Sequence, residues 1–142
     1  MLDEQLNAYA LIDLAGLPRG DAQHALKLVR AAHGVSILQD EREEAASASP
    51  WLIQLSSGDA GQPMRAQTLT WSHRGPCITW LSSHLPLPDL AQRLHQRTHA
   101  ELPDAHAVLL RYFDPRVLPE LRTALEETEA AKAFWALGSE WL

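Results

Sequence analysis

The run Ala107-Val-Leu-Leu-Arg-Tyr-Phe113 is the most apolar in the chain, and Asp114-Pro115 follows it directly. Its apolar residues are nearly continuous instead of alternating, which is typical of a strand that is covered on both faces. Asp is a favoured helix N-cap, and Pro is favoured at the first helical position. We therefore predict a central strand over 107–113 and a helix that begins at Pro115, with an inward face of Val117, Leu118, Leu121 and Leu125.

Outward from this run, further apolar and periodic segments alternate along the chain. Strand-like runs lie at 9–15, 51–55 and 77–81. Helical patterns lie at 21–33, 64–73, 88–101 and 128–141. Asp21 is the expected N-cap of the first, and Met64 and Leu69 are expected to face inward in the second. Four strands separated by helices predict an α/β fold, a single layered domain with a central, mixed sheet of about four strands flanked by helices. No linker divides the chain, so residues 1–142 are predicted to form one domain.

Composition and charge narrow the classes of partner. The chain has 142 residues and a net charge of −6, which is a poor match to nucleic acid because that binding depends on cationic contacts to phosphate. Cys77 is the single cysteine, so no disulfide framework is possible, and the count is typical of a reducing cytosol. No signal peptide and no apolar run of membrane-spanning length is found. We therefore expect a cytoplasmic protein that binds neither nucleic acid nor membrane.

Two pairs of residues are candidates for a catalytic or metal site. His95 and His99 are four residues apart, which on a helix would place them on one face and permit zinc binding, but a third ligand is needed. Ser83 and His84 are adjacent, and neighbouring strand residues point to opposite faces, so they cannot easily pair. Histidines on a solvated helix face are the favoured interpretation. A small hydrolase or metal-dependent enzyme that uses His95 and His99 remains the alternative, and no cofactor is predicted.

Three blocks of the chain resemble the DUF4123 family in order along the sequence. Tyr9-Ala-Leu-Ile-Asp13 resembles its opening strand, and Leu102-Pro-Asp104 with Val108-Leu-Leu-Arg-Tyr-Phe-Asp-Pro-Arg-Val-Leu118 resembles its central signature. The closing segment Trp135 to Leu142 resembles its last helix. The resemblance implies a non-enzymatic adaptor or chaperone that holds a type VI secretion effector, often by its N-terminal region, and helps to load it onto the secretion spike. A chain ending at Leu142 would be a minimal or shortened member.

The resemblance also implies a surface that binds the effector and the spike protein, with no small-molecule substrate. Arg111, Asp114 and Arg116 stand at the end of the predicted central strand, where α/β sheets commonly gather ligands. Two interpretations stay open: Asp114 caps a helix and pairs with an arginine, or Arg111 or Arg116 contacts a carboxylate or a backbone carbonyl of the partner. Trp and Arg are enriched at interface hot spots. The candidate partner-binding residues are therefore Arg111, Tyr112, Asp114, Arg116, Trp80, Trp135 and Trp141.

Overall fold

The computed structural model describes residues 6–39, 42–55, 61–101, 107–109, 112–117, 119 and 140–141. Strands and helices alternate along the first two thirds of the chain, and a short 3-10 turn, Leu14–Gly16, follows the first strand. The elements are β1 (Asn7–Asp13), α1 (Arg19–Ala31), β2 (Val35–Ser36), α2 (Glu43–Ala46), β3 (Pro50–Leu55), α3 (Gln62–Arg74), β4 (Ile78–Ser83), α4 (Leu87–Gln96), β5 (His99–Glu101), β6 (Ala107–Leu109) and β7 (Glu140–Trp141). Within these described ranges, no helix is both long enough and apolar enough to cross a bilayer.

The main sheet has five strands in the order β2-β3-β1-β4-β7, with helices against it. The predicted α/β class is confirmed, but the mixed strand direction is wrong for every described pair, since each neighbouring pair is antiparallel. The physical reason lies in the crossover. β3 and β4 both run antiparallel to β1 and hence parallel to each other, and the connection through α3 passes over β1. A long connection permits parallel strands but does not make them adjacent.

The central strand is β1 and not the predicted run 107–113. β1 pairs with β3 along one edge and with β4 along the other, and its residues from Tyr9 to Asp13 are buried. Among the described residues of this run, Ala107–Leu109 form β6, which pairs with β5 in a separate two-stranded sheet, and Tyr112 and Phe113 lie in a turn. Tyr112 and Phe113 are buried, as the apolar pattern indicates, but they reach the core from a turn and not from a central strand.

Alternating residues of β1 serve two separate halves of the core. Ala10 and Ile12 face the layer formed by α1 and α3, whereas Tyr9 and Leu11 face the layer that contains α4. The first half includes Leu14, Ala22, Ala25, Leu26, Val29, Trp51, Ile53, Trp71, Cys77 and Ile78. The second half includes Ile37, Leu52, Leu81, Leu90, Ala91, Leu94, Tyr112 and Phe113.

The helices follow the predicted segments with three differences. The helix predicted over 88–101 ends at Gln96, because residues 99–101 pair with β6 as a strand. α1 begins at Arg19 after Pro18, and Asp21 does not cap it but pairs with Arg74 of α3 at 2.9 Å. In α3, Leu69 is 54% exposed, so its predicted inward position is wrong. The buried residues of α3 are Thr68 and Trp71, which are three apart and share one face.

The last part of the chain was predicted as two helices. The helix expected from Pro115 falls mostly outside the described residues, which show turns over 115–117. The helix expected over 128–141 also lies outside them up to residue 139, while Glu140–Trp141 form β7 and pair with Leu81 and Ser82 of β4. Trp141 is therefore placed in a strand and not in a helix.

Two glycines allow a close approach at the carboxyl end of β1. A Cβ atom on Gly16 would overlap the carbonyl oxygen of Pro76, and one on Gly75 would overlap the carbonyl oxygen of Gly16. The 3-10 turn and the loop before β4 thus lie backbone to backbone, and the Asp13 amide donates to the Cys77 carbonyl oxygen at 2.7 Å. Any side chain at either glycine would separate these two loops.

Candidate functional site

Asp114 forms a compact corner with Arg116. Its Oδ1 accepts hydrogen bonds from the Arg116 backbone amide at 2.9 Å and from Nε at 3.1 Å, and its Oδ2 accepts one from Nη2 at 2.9 Å. The Val117 amide donates to the Asp114 carbonyl oxygen at 2.9 Å. Asp114 is only 5% exposed. Asp114 therefore accepts the backbone hydrogen bond expected of a cap, although the residues that follow it form a turn. The predicted pair between Asp114 and an arginine is present.

The Arg116 side chain points outward from this corner. It is 69% exposed although it forms a two-pronged pair with Asp114. The hydrogen bonds to Asp114 and the charge of that carboxylate raise the pKa of Arg116, and the charge of Asp13 adds a smaller contribution. A guanidinium has five N–H donors in a planar fork. Arg116 is therefore both held by Asp114 and able to offer its remaining donors to a partner.

Asp13 is the last residue of β1 and, like Asp114, accepts a hydrogen bond from a backbone amide two residues later. Its Oδ1 accepts from the Ala15 amide at 3.3 Å, and the residue is 1% exposed. Cys77 lies near it: burial, with a smaller contribution from the charge of Asp13, raises the pKa of the Cys77 thiol to about 11. The thiol is therefore protonated at neutral pH, as expected for a small buried apolar residue. Sequence reasoning did not single out Asp13, although an Asp directly after an apolar run is a visible signal.

Tyr112 belongs to the core. It is fully buried, and its hydroxyl donates to the Leu94 carbonyl oxygen at 2.5 Å. Its ring meets Phe113 edge to face, with centroids 5.6 Å apart at 71°. Burial raises the pKa of Tyr112. The structure thus gives Tyr112 the role of an anchor between this turn and the end of α4, in place of an exposed contact.

The other predicted partner-binding residues are placed unevenly. Trp80 is half-buried on β4 and packs against the core half that contains α1 and α3, which agrees with its predicted place in the sheet. Arg111 and Trp135 lie outside the described residues. Trp141 lies in β7. The structure therefore places Tyr112, Asp114 and Arg116 together in one turn. It places Trp80 on β4, against the other half of the core.

The groups weighed for catalysis have structural partners. His95 is on α4, and His99 opens β5 beyond the end of that helix, so the shared helical face assumed for zinc binding does not exist. The His95 Nδ1 is 2.6 Å from the Ile37 carbonyl oxygen, to which it can donate. Ser83 Oγ accepts from the Leu85 amide at 3.2 Å. In the part of the chain that the structure describes, no three His, Cys, Asp or Glu side chains are grouped to hold a metal ion.

A groove lies between α1, α2 and the 3-10 turn, with a volume of about 950 Å³. We call it the α1–α2 groove. It is lined by Leu14, Ala15, Leu17, Arg19, Gly20, Ala22, Gln23, His24, Leu26, Lys27, Arg30, Glu44, Ser47 and Ala48. Leu14, Leu17 and Leu26 are buried in the core beneath it, whereas its polar residues on α1 are exposed.

The basic residues of this groove share one stripe of α1. Arg19, Lys27 and Arg30, together with the neutral Gln23, are spaced by four, four and three residues, which places them on one helical face. The stripe was not among the sequence predictions. Its signal was present in the spacing of the cations along α1, but a charged helix face is also what solvent exposure alone produces. Only the position of α2 across from it makes the stripe the wall of a groove.

The comparison with protein families gives one match. The family model DUF4123, described as a domain of unknown function, matches residues 8–132. No curated protein and no solved structure matches the chain. The matched span contains β1 from its second residue onward, the α1–α2 groove and the Asp114–Arg116 corner.

Proposed function

Since the chain belongs to the DUF4123 family, we propose that it is a non-enzymatic adaptor, or chaperone, of a type VI secretion effector. It binds the effector, through the effector's N-terminal region, and assists its loading onto the secretion spike in the cytoplasm. The observation that carries the proposal is the family match over residues 8–132, which spans two of the three blocks whose resemblance implies this role, the opening strand and the central signature. Effector and spike protein are the partners, and no cofactor takes part.

The positions of the reactive side chains support a binding role over a catalytic one. The Cys77 thiol is fully buried and its pKa is raised to about 11, so it is not a thiolate nucleophile at neutral pH. Ser83 is 2% exposed and its hydroxyl accepts from a backbone amide of the following turn. His95 bonds to the backbone next to β2. Each of these groups stabilises the fold where it lies.

Two exposed cationic features support a role in holding another chain. Arg116 is held by Asp114 with its guanidinium at the surface, and Arg is suited to planar recognition of carboxylates. The α1–α2 groove adds a concave surface with a basic wall. Both lie on parts of the chain that the sheet and its helices hold in place.

The test is co-expression with the effector and the spike protein encoded beside this gene, followed by affinity purification and size-exclusion chromatography. We expect the effector to co-elute with the chain, and an effector from an unrelated secretion cluster to be left behind. A folded chain that retains neither the effector nor the spike protein contradicts the proposal. Stoichiometric zinc in the purified chain, with an enzymatic activity that His95→Ala abolishes, would contradict it from the opposite direction.

A further inference from the structure

We propose that the α1–α2 groove is the docking site for the effector and that it takes an acidic segment of the effector chain. This inference rests on the proposed function, and it adds the location of the site and the chemistry of the bound segment. The groove is distinct from the Asp114–Arg116 corner, none of whose residues line it.

Charge is the first reason. Arg19, Lys27 and Arg30 line one wall, and Glu44 of α2 is the acid among the described residues that line the groove. The acid of α1, Asp21, is not part of this lining, because it pairs with Arg74 of α3. The whole chain has a net charge of −6, with 18 acidic and 12 basic residues, so a basic wall is not a consequence of composition. Opposite potentials across an interface favour encounter and register, and this wall complements carboxylates.

Shape is the second reason. The groove has a volume of about 950 Å³ and is partly open to solvent. A pocket for a small molecule surrounds most of its ligand with apolar walls and a few convergent polar groups. Here the cations are spread along α1 from Arg19 at its first residue to Arg30 near its end. Such a spread suits a chain segment whose carboxylates recur along its length.

Preorganisation is the third reason. Trp51 of β3 connects both walls, since its Nε1 donates to the Ala46 carbonyl oxygen of α2 at 3.0 Å and the Arg30 guanidinium lies 5.6 Å from its ring centroid. Trp51 is only 8% exposed, so this link is part of the core. A groove with fixed walls loses little conformational entropy when a partner docks.

The decisive experiment compares matched variants with the effector used above, with affinity measured by isothermal titration calorimetry on purified proteins. Lys27→Glu reverses a charge in the groove. Arg93→Glu makes the same charge change at an exposed position of α4, on the opposite side of the sheet. We expect Lys27→Glu to weaken effector binding about tenfold or more, because like charges then face each other, and Arg93→Glu to leave it near the wild-type value.

A second pair of variants tests the groove without changing its charge. Gln23→Trp places a large side chain in the groove from an exposed position of α1. Gln92→Trp is the control, because it places the same side chain on the exposed face of α4, away from the groove. We expect Gln23→Trp alone to weaken binding. The melting temperatures of all four variants, measured by circular dichroism, are expected to stay near the wild-type value because all four positions are exposed.

The outcomes separate this inference from the proposed function. If the wild-type chain binds the effector and Lys27→Glu and Gln23→Trp bind it equally well, the groove assignment is overturned while the adaptor role stands. If the wild-type chain binds no effector, the proposed function itself fails. Weaker effector binding at higher NaCl supports the charge argument. Equal competition by heparin or a DNA oligonucleotide at the groove would overturn the choice of an acidic polypeptide.

Discussion

Strand β1 and the segment 107–114 look alike in sequence but fold differently. Each is an apolar run that carries a buried tyrosine and ends in a buried aspartate whose Oδ1 accepts from the amide two residues later. Each tyrosine hydroxyl donates to a backbone carbonyl, Tyr9 to Leu85 and Tyr112 to Leu94, both at 2.5 Å. Yet β1 is the centre of the main sheet, whereas the other segment has a three-residue strand followed by a turn against the second half of the core.

The difference shows what an apolar run specifies. β1 has a strand along each edge, and its alternate residues supply both halves of the core. Tyr112 and Phe113 are consecutive and both belong to the same half of the core. In a strand consecutive residues would point to opposite faces, so these two can share one half only because the chain turns there. A hydrophobic run therefore predicts burial, and the geometry of its surroundings determines its backbone.

The largest effect should come from removing the aromatic ring of the second segment. Phe113→Ala deletes a side chain that is 1% exposed, and we expect it to lower the free energy of unfolding by about 3–5 kcal/mol. Ile12→Ala in β1 is the reference, with an expected loss of about 2–5 kcal/mol. Urea unfolding monitored by circular dichroism measures both. A loss below about 1 kcal/mol for Phe113→Ala would show that this segment is not an integral part of the core.

The two tyrosines give a finer comparison. Tyr112→Phe removes a buried hydroxyl and leaves the Leu94 carbonyl without that donor, so we expect a loss of about 1–3 kcal/mol. Tyr9→Phe removes a hydrogen bond in a partly buried position, where water can replace the donor, and we expect a smaller loss. The same urea titration decides the order. A larger loss for Tyr9→Phe would reverse our view of which hydroxyl is more isolated from water.

The free energy of unfolding should fall at alkaline pH, and Tyr112 should contribute more to this fall than Tyr9. Burial raises the pKa values of Tyr9 and Tyr112 above the ordinary 10.0, and that of Cys77 from 9.0 to about 11. Above pH 9 the unfolded chain therefore releases protons that the folded chain still holds, which lowers the free energy of unfolding as pH rises. Unfolding by urea at pH 8 to 11 is the measurement. Tyr112→Phe should flatten the decline above the ordinary tyrosine pKa more than Tyr9→Phe does, and parallel slopes would contradict this.

The smallest effects should come from the Asp114–Arg116 corner. Asp114→Ala removes a buried carboxylate that accepts from the Arg116 amide, and we expect a loss of about 1–2 kcal/mol in the free energy of unfolding. Arg116→Gln affects an exposed side chain and should cost less, because surface ion pairs contribute little. Thermal unfolding of the two variants tests this order. An equal loss for both would mean that the ion pair, and not the cap, stabilises the turn.

Much of the fold was accessible from sequence patterns. Periodicity located α1, α3 and α4, and β-branched and apolar runs located β1, β3 and β4, because these signals depend on residues close in sequence. The Asp114 cap and its pairing with an arginine were also accessible, since Asp-Pro-Arg is a local motif. The start of α1 at Arg19 was missed because Asp21 is a good cap whose carboxylate has a more distant partner in Arg74.

The candidate site was less accessible. The spacing of the cationic residues along α1 is visible in the sequence. That they line a groove depends on the position of α2 opposite them and on Trp51, which contacts both walls. Tyr112 was predicted at a partner surface, but it is buried, and its hydroxyl donates to the Leu94 carbonyl oxygen of α4. The contacts of Arg30 with Trp51 and of Tyr112 with Leu94 join residues far apart in sequence, so no local pattern reports them.

By itself the sequence determined an α/β chain with helices and buried strands at particular places, a cap at Asp114 and the family to which the chain belongs. Only the tertiary structure decided that β1 is central, that neighbouring strands are antiparallel and that a basic groove forms between α1 and α2. The physical reason is that helix and strand periodicity is set by neighbours two to four residues away, whereas strand order depends on backbone hydrogen bonds that any exposed strand edge can offer. Which edges meet is decided by the packing of both halves of the core at once.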